Sequence, residues 1–334
     1  MALGYGRPLV AAEHPGNFTL LEGVKDPLLQ HTIYRLELQS LRHAPRFASN
    51  GAMGQNEKWE RGEAPQWFIE GQRWGAEMIQ AGIVLNNEPL VQQGGTVFGW
   101  GFSKQSRDGG FAETGDPFHS VSLFVEGAAR ALLLMKESGD PKHARTVKKY
   151  APAMHAAALW LIQPEIAARG REHDAPYTHR RFILAAAMGQ TAAVTDDAAL
   201  AQAAAAYARD GVRLQQSNGV NPEKGGFDVN YQMVGVLMAG RYYAVCSNTE
   251  LRAQVRAMIQ RAGEFEMTKM DSQGLLSTAG STRMGHEPGR SGKIKTVAYK
   301  EVLQAFVFAA QITGDKRFRS CAERVAAGQK WLAP

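Results

Sequence analysis

The sequence predicts an all-α protein, an (α/α) toroid formed as an incomplete barrel of helical hairpins, with a long irregular loop and few or no short strands. Three observations predict this fold. Five stretches repeat one layout: a polar, aromatic or histidine-bearing opening, an apolar helix, a small polar turn and a second helix. The repeats recur about every 50–65 residues, as in stacked hairpin arrays. The first helix of each pair is apolar almost all round, whereas the second is charged, which indicates buried inner and solvated outer helices.

The elements before the second repeat follow from local signals. Residues 1–25 are rich in Gly and Pro and are expected to form an N-terminal arm, and residues 26–334 a single toroidal domain. Asp26-Pro27 begins a predicted helix that runs to about His43, because Pro is tolerated in the first turn. Small and polar residues from Ala48 to Glu63 predict a loop. Pro65 opens a helix through Ala81, with Trp74 in its buried stripe.

The stretch from Asn86 to Gly115 is glycine-rich with interspersed aromatic residues, and it is predicted to be a long folded-back loop. The only β-structure that the sequence suggests is short strands between Gln273 and Thr282. Helical patterns fill most of the remaining chain. The predicted helices are Phe118–Glu137, Lys142–Ile162, Thr178–Ala193, Ala198–Gln215, Val229–Val245, Thr249–Met267, Ala298–Ile312 and Lys316–Trp331.

Composition narrows the classes of partner. The net charge of +6 favours acidic partners, namely nucleic acid, an anionic polysaccharide or a membrane surface, although the scattered basic residues are equally a solvated surface. No apolar run reaches the length of a membrane-spanning helix, and no metal motif, P-loop or dinucleotide fingerprint is present. Among the acidic partners we expect a polysaccharide and neither nucleic acid nor a membrane, and we expect no metal and no cofactor. Cys246 and Cys321 lack metal-ligand spacing and are expected to be buried thiols rather than a disulfide.

The openings of the inner helices are the candidate functional positions. Stacked hairpins place equivalent residues on one rim, where helix N-termini offer free N–H groups and a positive dipole end. Asn230 is suited to hydrogen-bond a carboxylate, and Tyr231 to move a proton if nearby cations lower its pKa. A core role for Tyr231 is the alternative. His119 and His179 occupy matching positions, where catalytic and structural roles are equally open.

Other side chains of the same segments are candidates for binding. Arg180 is placed to clamp a carboxylate, and Arg283 lies in a glycine-rich segment that would close over a ligand. Large aromatic residues such as Trp67 and Trp100 either stack on sugar rings or belong to the core. Four more rim residues complete the predicted binding set: Asp228, Gln232, Tyr299 and Lys300.

Carboxylates support a different chemistry. Asp108, Glu113 and Asp116 cluster in the long loop, and Asp228 precedes Asn230. Two carboxylates several ångströms apart suit inverting glycoside hydrolysis. Asp116, which precedes Pro117, and Asp228 are equally placed to cap the helices that follow. The sequence leaves both roles open.

Several short segments between Gln66 and the C-terminus resemble the (α/α)-toroid polysaccharide lyases, including alginate, glucuronan and heparinase-type enzymes and their uncharacterised relatives. The segments are Asp108-Gly-Gly-Phe, Asp116-Pro-Phe-His119, Tyr177-Thr-His-Arg-Arg-Phe, Gly225-Gly-Phe-Asp-Val-Asn-Tyr-Gln232 and Ser281-Thr-Arg283 before Tyr299. The resemblance implies cleavage of uronic-acid polymers by β-elimination. It implies that a carboxylate is neutralised, that the C5 proton is removed, and that the leaving glycosidic oxygen is protonated.

Carried over to this sequence, Asn230 resembles the neutraliser and Tyr231 the base or acid. His119 or His179 then supplies the second proton-transfer group, with Arg180 or Arg283 holding the carboxylate. The sequence departs from the lyase pattern where Asn230 directly adjoins Tyr231, since neighbouring side chains on a helix point about 100° apart.

The interpretation is therefore a toroidal catalytic domain that acts as a polysaccharide lyase on an acidic polysaccharide, secreted or periplasmic, with a phage particle as another location. An inverting glycoside hydrolase on the same toroid is the alternative, and a non-catalytic glycan-binding protein is a second one. The predicted catalytic residues are Tyr231, His119, His179, Asn230 and Arg180. The predicted substrate-binding residues are Arg283, Tyr299, Lys300, Trp67, Trp100, Gln232 and Asp228.

Overall fold

A computed structural model describes residues 18–35, 48–64, 66–290 and 292–328. In these ranges the protein is all-α, and β-structure is limited to isolated bridges such as Met270↔Leu276. The predicted fold class is confirmed. In chain order the α-helices are α1 Leu20–Val24, α2 Pro27–Leu29, α3 Gln55–Glu60, α4 Trp74–Val84, α5 Glu88–Ser103, α6 Pro117–Glu137, α7 Pro141–Leu161, α8 Pro164–Asp174, α9 Thr178–Thr195, α10 Ala198–Leu214, α11 Val229–Tyr243, α12 Thr249–Met267, α13 Tyr299–Thr313 and α14 Lys316–Gly328.

Five helical hairpins form the toroid. Helices α4, α6, α9, α11 and α13 pack against one another in that order as the inner ring, and α5, α7, α10, α12 and α14 cover them from outside. The inner helices are buried along most of their length because they are apolar on every face. Lys300 on α13 approaches Glu77 on α4 to 3.6 Å, which connects the last inner helix to the first.

An ionic network lies at the centre of the ring. Glu126 on α6 accepts hydrogen bonds from Arg130 (3.2 Å) and from Arg241 on α11 (2.9 Å). Arg130 also binds Glu77 at 2.7 Å. Burying charges is costly unless each is paired and hydrogen-bonded. The network pairs its charges and so fixes the relative positions of three inner helices.

The prediction of a long loop at residues 86–115 is wrong, because most of this stretch forms α5. Asn87 caps this helix through Leu90 N, and Pro89 lies in its first turn. Its glycines permit close packing: a Cβ on Gly94 would lie 2.5 Å from the carbonyl oxygen of Gly75 on α4. A glycine at a helix–helix contact and a glycine in a loop look the same in sequence.

Other predicted boundaries need correction. The helix predicted over residues 26–43 is a single turn, α2, followed by a π-helix at Gln30–Tyr34, and residues 36–43 lie outside the described ranges. The loop predicted from Ala48 to Glu63 contains α3, and the helix predicted from residue 65 begins only at Trp74. Helix α8 was not predicted. The arm at residues 1–25 includes α1, whereas residues 1–17 are not described.

Two details bear on the sequence-based expectations. Helix α6 is long and apolar enough to cross a membrane, with a mean hydropathy of 1.3, but 94% of that window is buried in the protein. Its composition is therefore that of a core helix. Cys246 and Cys321 are buried free thiols.

Candidate active site at the mouth of the toroid

The first turns of the inner helices gather at one end of the toroid, which we call the mouth. There the imidazole of His179 on α9 lies against the phenol ring of Tyr231 on α11, with ring centroids 4.4 Å apart. His119 on α6 is a close neighbour, and burial together with the charges of Arg180 and His179 holds the pKa of His119 well below its ordinary value. His179 and Tyr231 are therefore in contact, and His119 lies near enough for the charge of His179 to act on it. His119 is uncharged near neutral pH.

His179 is held by a carboxylate that the sequence did not single out. Glu223 accepts hydrogen bonds from His179 Nδ1 (2.8 Å) and from the backbone N–H of His179 (2.9 Å). Both side chains are buried. Since a carboxylate is an acceptor, the proton of the neutral imidazole lies on Nδ1 and the free lone pair on Nε2. His179 is thus oriented as a base.

Tyr231 is stacked beneath a guanidinium group. The Cζ of Arg283 lies 3.8 Å from the ring centroid of Tyr231, and Lys295 Nζ lies 5.7 Å from it. Burial nevertheless raises the pKa of Tyr231 to about 12, and the charge of Arg283 only partly opposes this effect. The expectation that neighbouring cations lower this pKa is therefore wrong, because burial outweighs their charge. At neutral pH Tyr231 carries its proton and is suited to be a donor.

Two buried arginines flank Tyr177 at the mouth. The guanidinium carbons of Arg180 and Arg283 lie 4.3 and 4.9 Å from its ring centroid. Arg180 binds Asp174 at 2.5 Å, whereas Arg283 binds Glu287 at 2.6 Å and also lies 3.9 Å from Glu223. Arg180 Nε and Arg283 Nη1 are buried and have no hydrogen-bond partner in the described structure. Buried, positively charged donors that lack a hydrogen-bond partner favour the binding of an anionic ligand.

The carboxylates considered for hydrolysis do not gather in one place. Asp228 is fully buried and accepts hydrogen bonds from the backbone N–H groups of residues 230, 231, 283 and 284. Its carboxylate therefore joins the first turn of α11 to the segment at residues 283–284. Its predicted substrate-binding role is therefore not supported. Asp108 and Glu113 are exposed in the loop after α5. Asp116 lies at the mouth, 3.8 Å from His173, and makes no capping hydrogen bond with its side chain.

A segment between α12 and α13 crosses the mouth, and we call its described residues, 284–290 and 292–297, the cap. Arg290 in the cap forms an ion pair with Glu70, stacks on Phe68 at 3.7 Å and approaches Asp116 to 4.0 Å. At the base of the cap, Glu287 binds Arg283, Lys224 (3.2 Å) and Lys295 (3.3 Å). Charge pairs thus hold the cap to both sides of the mouth.

Several residues predicted to bind substrate have structural roles. Trp67 and Trp100 are 2% and 5% exposed and pack edge to face, so neither ring is available to a sugar. Gln232 is buried and bonds to the carbonyls of Gly219 and Ala262. Burial removes all three from the candidate binding set.

Asn230 and Tyr299 also make structural hydrogen bonds. Asn230 Oδ1 accepts from Ala298 N at 2.7 Å, which fixes the start of α13. The hydroxyl of Tyr299 accepts from Leu276 N at 3.0 Å. Asn230 Oδ1 is thus used to hold α13, and a substrate carboxylate could accept only from the Nδ2 group of Asn230.

Trp74 is an exposed aromatic side chain at the mouth. It begins α4 and is 43% exposed, which corrects its predicted place in a buried stripe. The ammonium group of Lys300 lies 5.0 Å from its ring centroid. Only the three-dimensional position distinguishes Trp74 from the two buried tryptophans.

The fold and the mouth together define an (α/α) toroid with a polar cluster at the N-terminal ends of its inner helices. No family model and no curated protein matches the chain. Among solved structures it is similar to the GH76A alpha-1,6-mannanase from Salegentibacter sp. HEL1_6, with 12% identity, a TM-score of 0.48 and coverage of 89% of this chain and 90% of that one.

An inactive variant of that mannanase in complex with alpha-1,6-mannotriose is also similar, with 12% identity, a TM-score of 0.47 and coverage of 89% of both chains. The toroid that the resemblance implies is confirmed by the order and packing of the helices themselves. The lyase activity that it implies stays a prediction.

Proposed function

We propose that the protein cleaves a uronate-containing polysaccharide by β-elimination at the mouth of the toroid. The observation that carries this proposal is the contact of three complementary groups. His179 is oriented by Glu223 as a base, and Tyr231 retains a proton to donate. Arg283 stacks on Tyr231, and its buried Nη1 makes no hydrogen bond and lies 3.9 Å from Glu223 Oε2. A base, an acid and a carboxylate-binding cation are the groups that elimination next to a carboxylate needs.

The first step is neutralisation of the uronate carboxylate. Arg283 Nη1 and Arg180 Nε donate to its oxygens, which withdraws charge and makes the proton on C5 more acidic. Nε2 of His179 removes that proton, and Glu223 stabilises the imidazolium that forms. The negative charge that spreads over C5 and the carboxylate is stabilised by the guanidinium groups at the buried site.

The second step breaks the glycosidic bond. The electron pair left on C5 forms a double bond to C4, and the C4–O bond breaks. Tyr231 gives its proton to the leaving oxygen, whose alkoxide is a stronger base than a phenolate. One proton has then moved from C5 to His179 and another from Tyr231 to the leaving group, so transfer of a proton from His179 to Tyr231 restores the enzyme.

Glycoside hydrolysis is the second candidate function, and it rests on a pair of carboxylates at the mouth. Asp116 and Glu70 both contact Arg290 and are therefore close together. A hydrolytic general acid is usually a carboxyl group in apolar surroundings. In contrast, Glu70, Asp116, Asp174, Glu223 and Glu287 each lie beside an arginine or a histidine. This environment suits fixed charges better than a proton donor.

A panel of acidic polysaccharides tests the proposal. We expect alginate, glucuronan, hyaluronan or a bacterial exopolysaccharide to yield products that absorb in the ultraviolet, because elimination conjugates a C4–C5 double bond with the carboxylate. Tyr231→Phe should lower this rate by about 10²–10⁴-fold. Tyr243→Phe, the same change at the opposite end of α11, is the matched control and should leave the rate unchanged.

Each rival function has its own outcome in this assay. New reducing ends without ultraviolet absorbance, abolished by Asp116→Asn but not by Tyr231→Phe, would establish hydrolysis. Binding of a polysaccharide without any change in its chain length would establish a glycan-binding protein. Either result would overturn the proposed elimination.

A further inference from the structure

Trp74 is unusual because a large apolar ring remains accessible at the mouth, whereas Trp67 and Trp100 are buried. Its neighbour is a cation: Lys300 Nζ lies 5.0 Å from the ring centroid of Trp74 and 3.6 Å from Glu77 Oε2. The two residues come from α4 and α13, the first and last inner helices, so their contact depends on the closure of the ring. An exposed aromatic face beside an ammonium group presents an apolar and a cationic surface together.

We infer that Trp74 and Lys300 form a subsite for a second uronate unit of the polymer, next to the unit that is cleaved. The C–H face of a sugar ring would pack on the indole, and its carboxylate would accept from Lys300. This inference deepens the proposed function and rests on it for the identity of the polymer. It assigns to Trp74 a binding role in place of the core role expected from sequence.

The position of the patch supports a neighbouring subsite. Arg73, the residue before Trp74, is one of the cations whose charge acts on His119. On the other side, Asn230 holds the start of α13 through Ala298, and Tyr231 is the next residue along α11. The patch therefore adjoins the catalytic cluster through both α4 and α13. A polymer that places one unit at His179 and Tyr231 would extend over Trp74.

The charges around Lys300 fit a carboxylate ligand that competes with an existing partner. Glu77 on α4 faces Lys300, and Glu301 lies on the same helix turn. Glu77 is also bound by Arg130 on α6 at 2.7 Å, so its charge stays paired when Lys300 turns toward a ligand. Arg241 on α11 belongs to the same network through Glu126. Lys300 can therefore exchange the carboxylate of Glu77 for that of the ligand, while Glu77 stays paired with Arg130.

Binding to a catalytically disabled protein tests the subsite separately from the reaction. Calorimetry should show an oligouronate binding to the Tyr231→Phe variant about tenfold more tightly than to the Tyr231→Phe, Trp74→Ala double variant. Leu159→Ala, which truncates another exposed apolar residue on the outer helix α7, is the matched control and should leave the affinity unchanged. Lys300→Gln should weaken oligouronate binding but not the binding of an uncharged oligosaccharide of the same length.

The outcomes distinguish this inference from the proposed function. Equal affinities with and without Trp74 would overturn the subsite, whatever the reaction is. Loss of binding in the double variant for charged and uncharged oligosaccharides alike, with no effect of Lys300→Gln, would overturn the uronate assignment. An oligouronate that binds through Trp74 and Lys300 while the wild-type protein forms no unsaturated product would support the subsite and overturn the elimination.

Discussion

The imidazole of His179 and the phenol of Tyr231 lie 4.4 Å apart between ring centroids, although they belong to different hairpins. The guanidinium of Arg283 covers the phenol, and Glu223 holds the imidazole. The toroid therefore brings together a base, an acid and a cation that are distant in the chain. This contact is the structural basis of the proposed elimination.

Replacement of Glu223 by Gln should lower kcat by about 10²-fold while the protein stays folded. The carboxylate stabilises the imidazolium of His179, and an amide of the same shape does not. Glu223→Asp keeps the negative charge and should therefore retain more of the rate than Glu223→Gln. Glu113→Gln, at an exposed loop position, is the control. Equal losses of rate in Glu223→Gln and Glu223→Asp would indicate that Glu223 has only a structural role.

Replacement of Arg283 by Lys should raise KM and lower kcat, although the positive charge is retained. A lysine cannot stack on Tyr231 and donate in a fork to a carboxylate at the same time. Lys293→Arg, a change of the same type in the cap, should leave both constants within about twofold. Kinetics that are the same for Arg283→Lys and the wild type would show that only charge matters here.

The KM for an acidic polymer should rise as the pH rises through about 8. Burial lowers the pKa of Lys300 to about 8, with the charge of Glu301 opposing this effect, so Lys300 is charged below that pH and neutral above it. Tyr231, with a pKa of about 12, does not titrate in this range. Lys300→Gln should remove the pH dependence, and an alkaline limb that persists in this variant would assign it to another group.

The cap should make the protein more stable above about pH 4.5 than at acid pH. Burial would raise the pKa of Glu287, but the hydrogen bond and charge of Arg283, with help from Lys224 and Lys295, lower it to about 2. A lowered folded-state pKa contributes stability above the unfolded value and loses it as the pH falls toward 2. Solvent screens these partly exposed charges, so the contribution at neutral pH is about 1 kcal/mol.

Chemical denaturation as a function of pH measures this contribution. Glu287→Gln should lower the free energy of unfolding at pH 7 and flatten its decline between about pH 4.5 and 2. Glu113→Gln should change neither quantity. The same acid dependence in Glu287→Gln and wild type would contradict the role of this carboxylate in holding the cap.

The sequence was sufficient to predict the inner and outer helices because their apolar patterns differ along whole turns. It was insufficient for α5, since the close approach of Gly75 and Gly94 is visible only once both helices are placed. The bounds of α6, α9 and α12 follow the pattern to within about two residues. Long periodic segments are therefore predictable, and glycine-rich helices are not.

The site was predictable only where it depends on the repeat. Equivalent positions in neighbouring hairpins predicted that His119, His179 and Tyr231 converge; His179 and Tyr231 are in contact, and the charge of His179 acts on His119. Glu223 lies in a connecting segment outside any repeat, so nothing in the sequence marked it as the partner of His179. The exposure of Trp74 likewise depends on packing, which composition does not encode.

The source of the oxygen in the products is the most direct test of the central claim. We expect a cleavage reaction run in water enriched in the heavy oxygen isotope to give oligosaccharides without the label at the cleaved bond. By mass spectrometry, each unsaturated product should be lighter than the corresponding hydrolytic product by the mass of one water. Back-exchange at the reducing end is controlled by incubating finished products in the same water. Incorporation of one heavy oxygen at each cleavage, with products of full hydrated mass, would contradict elimination.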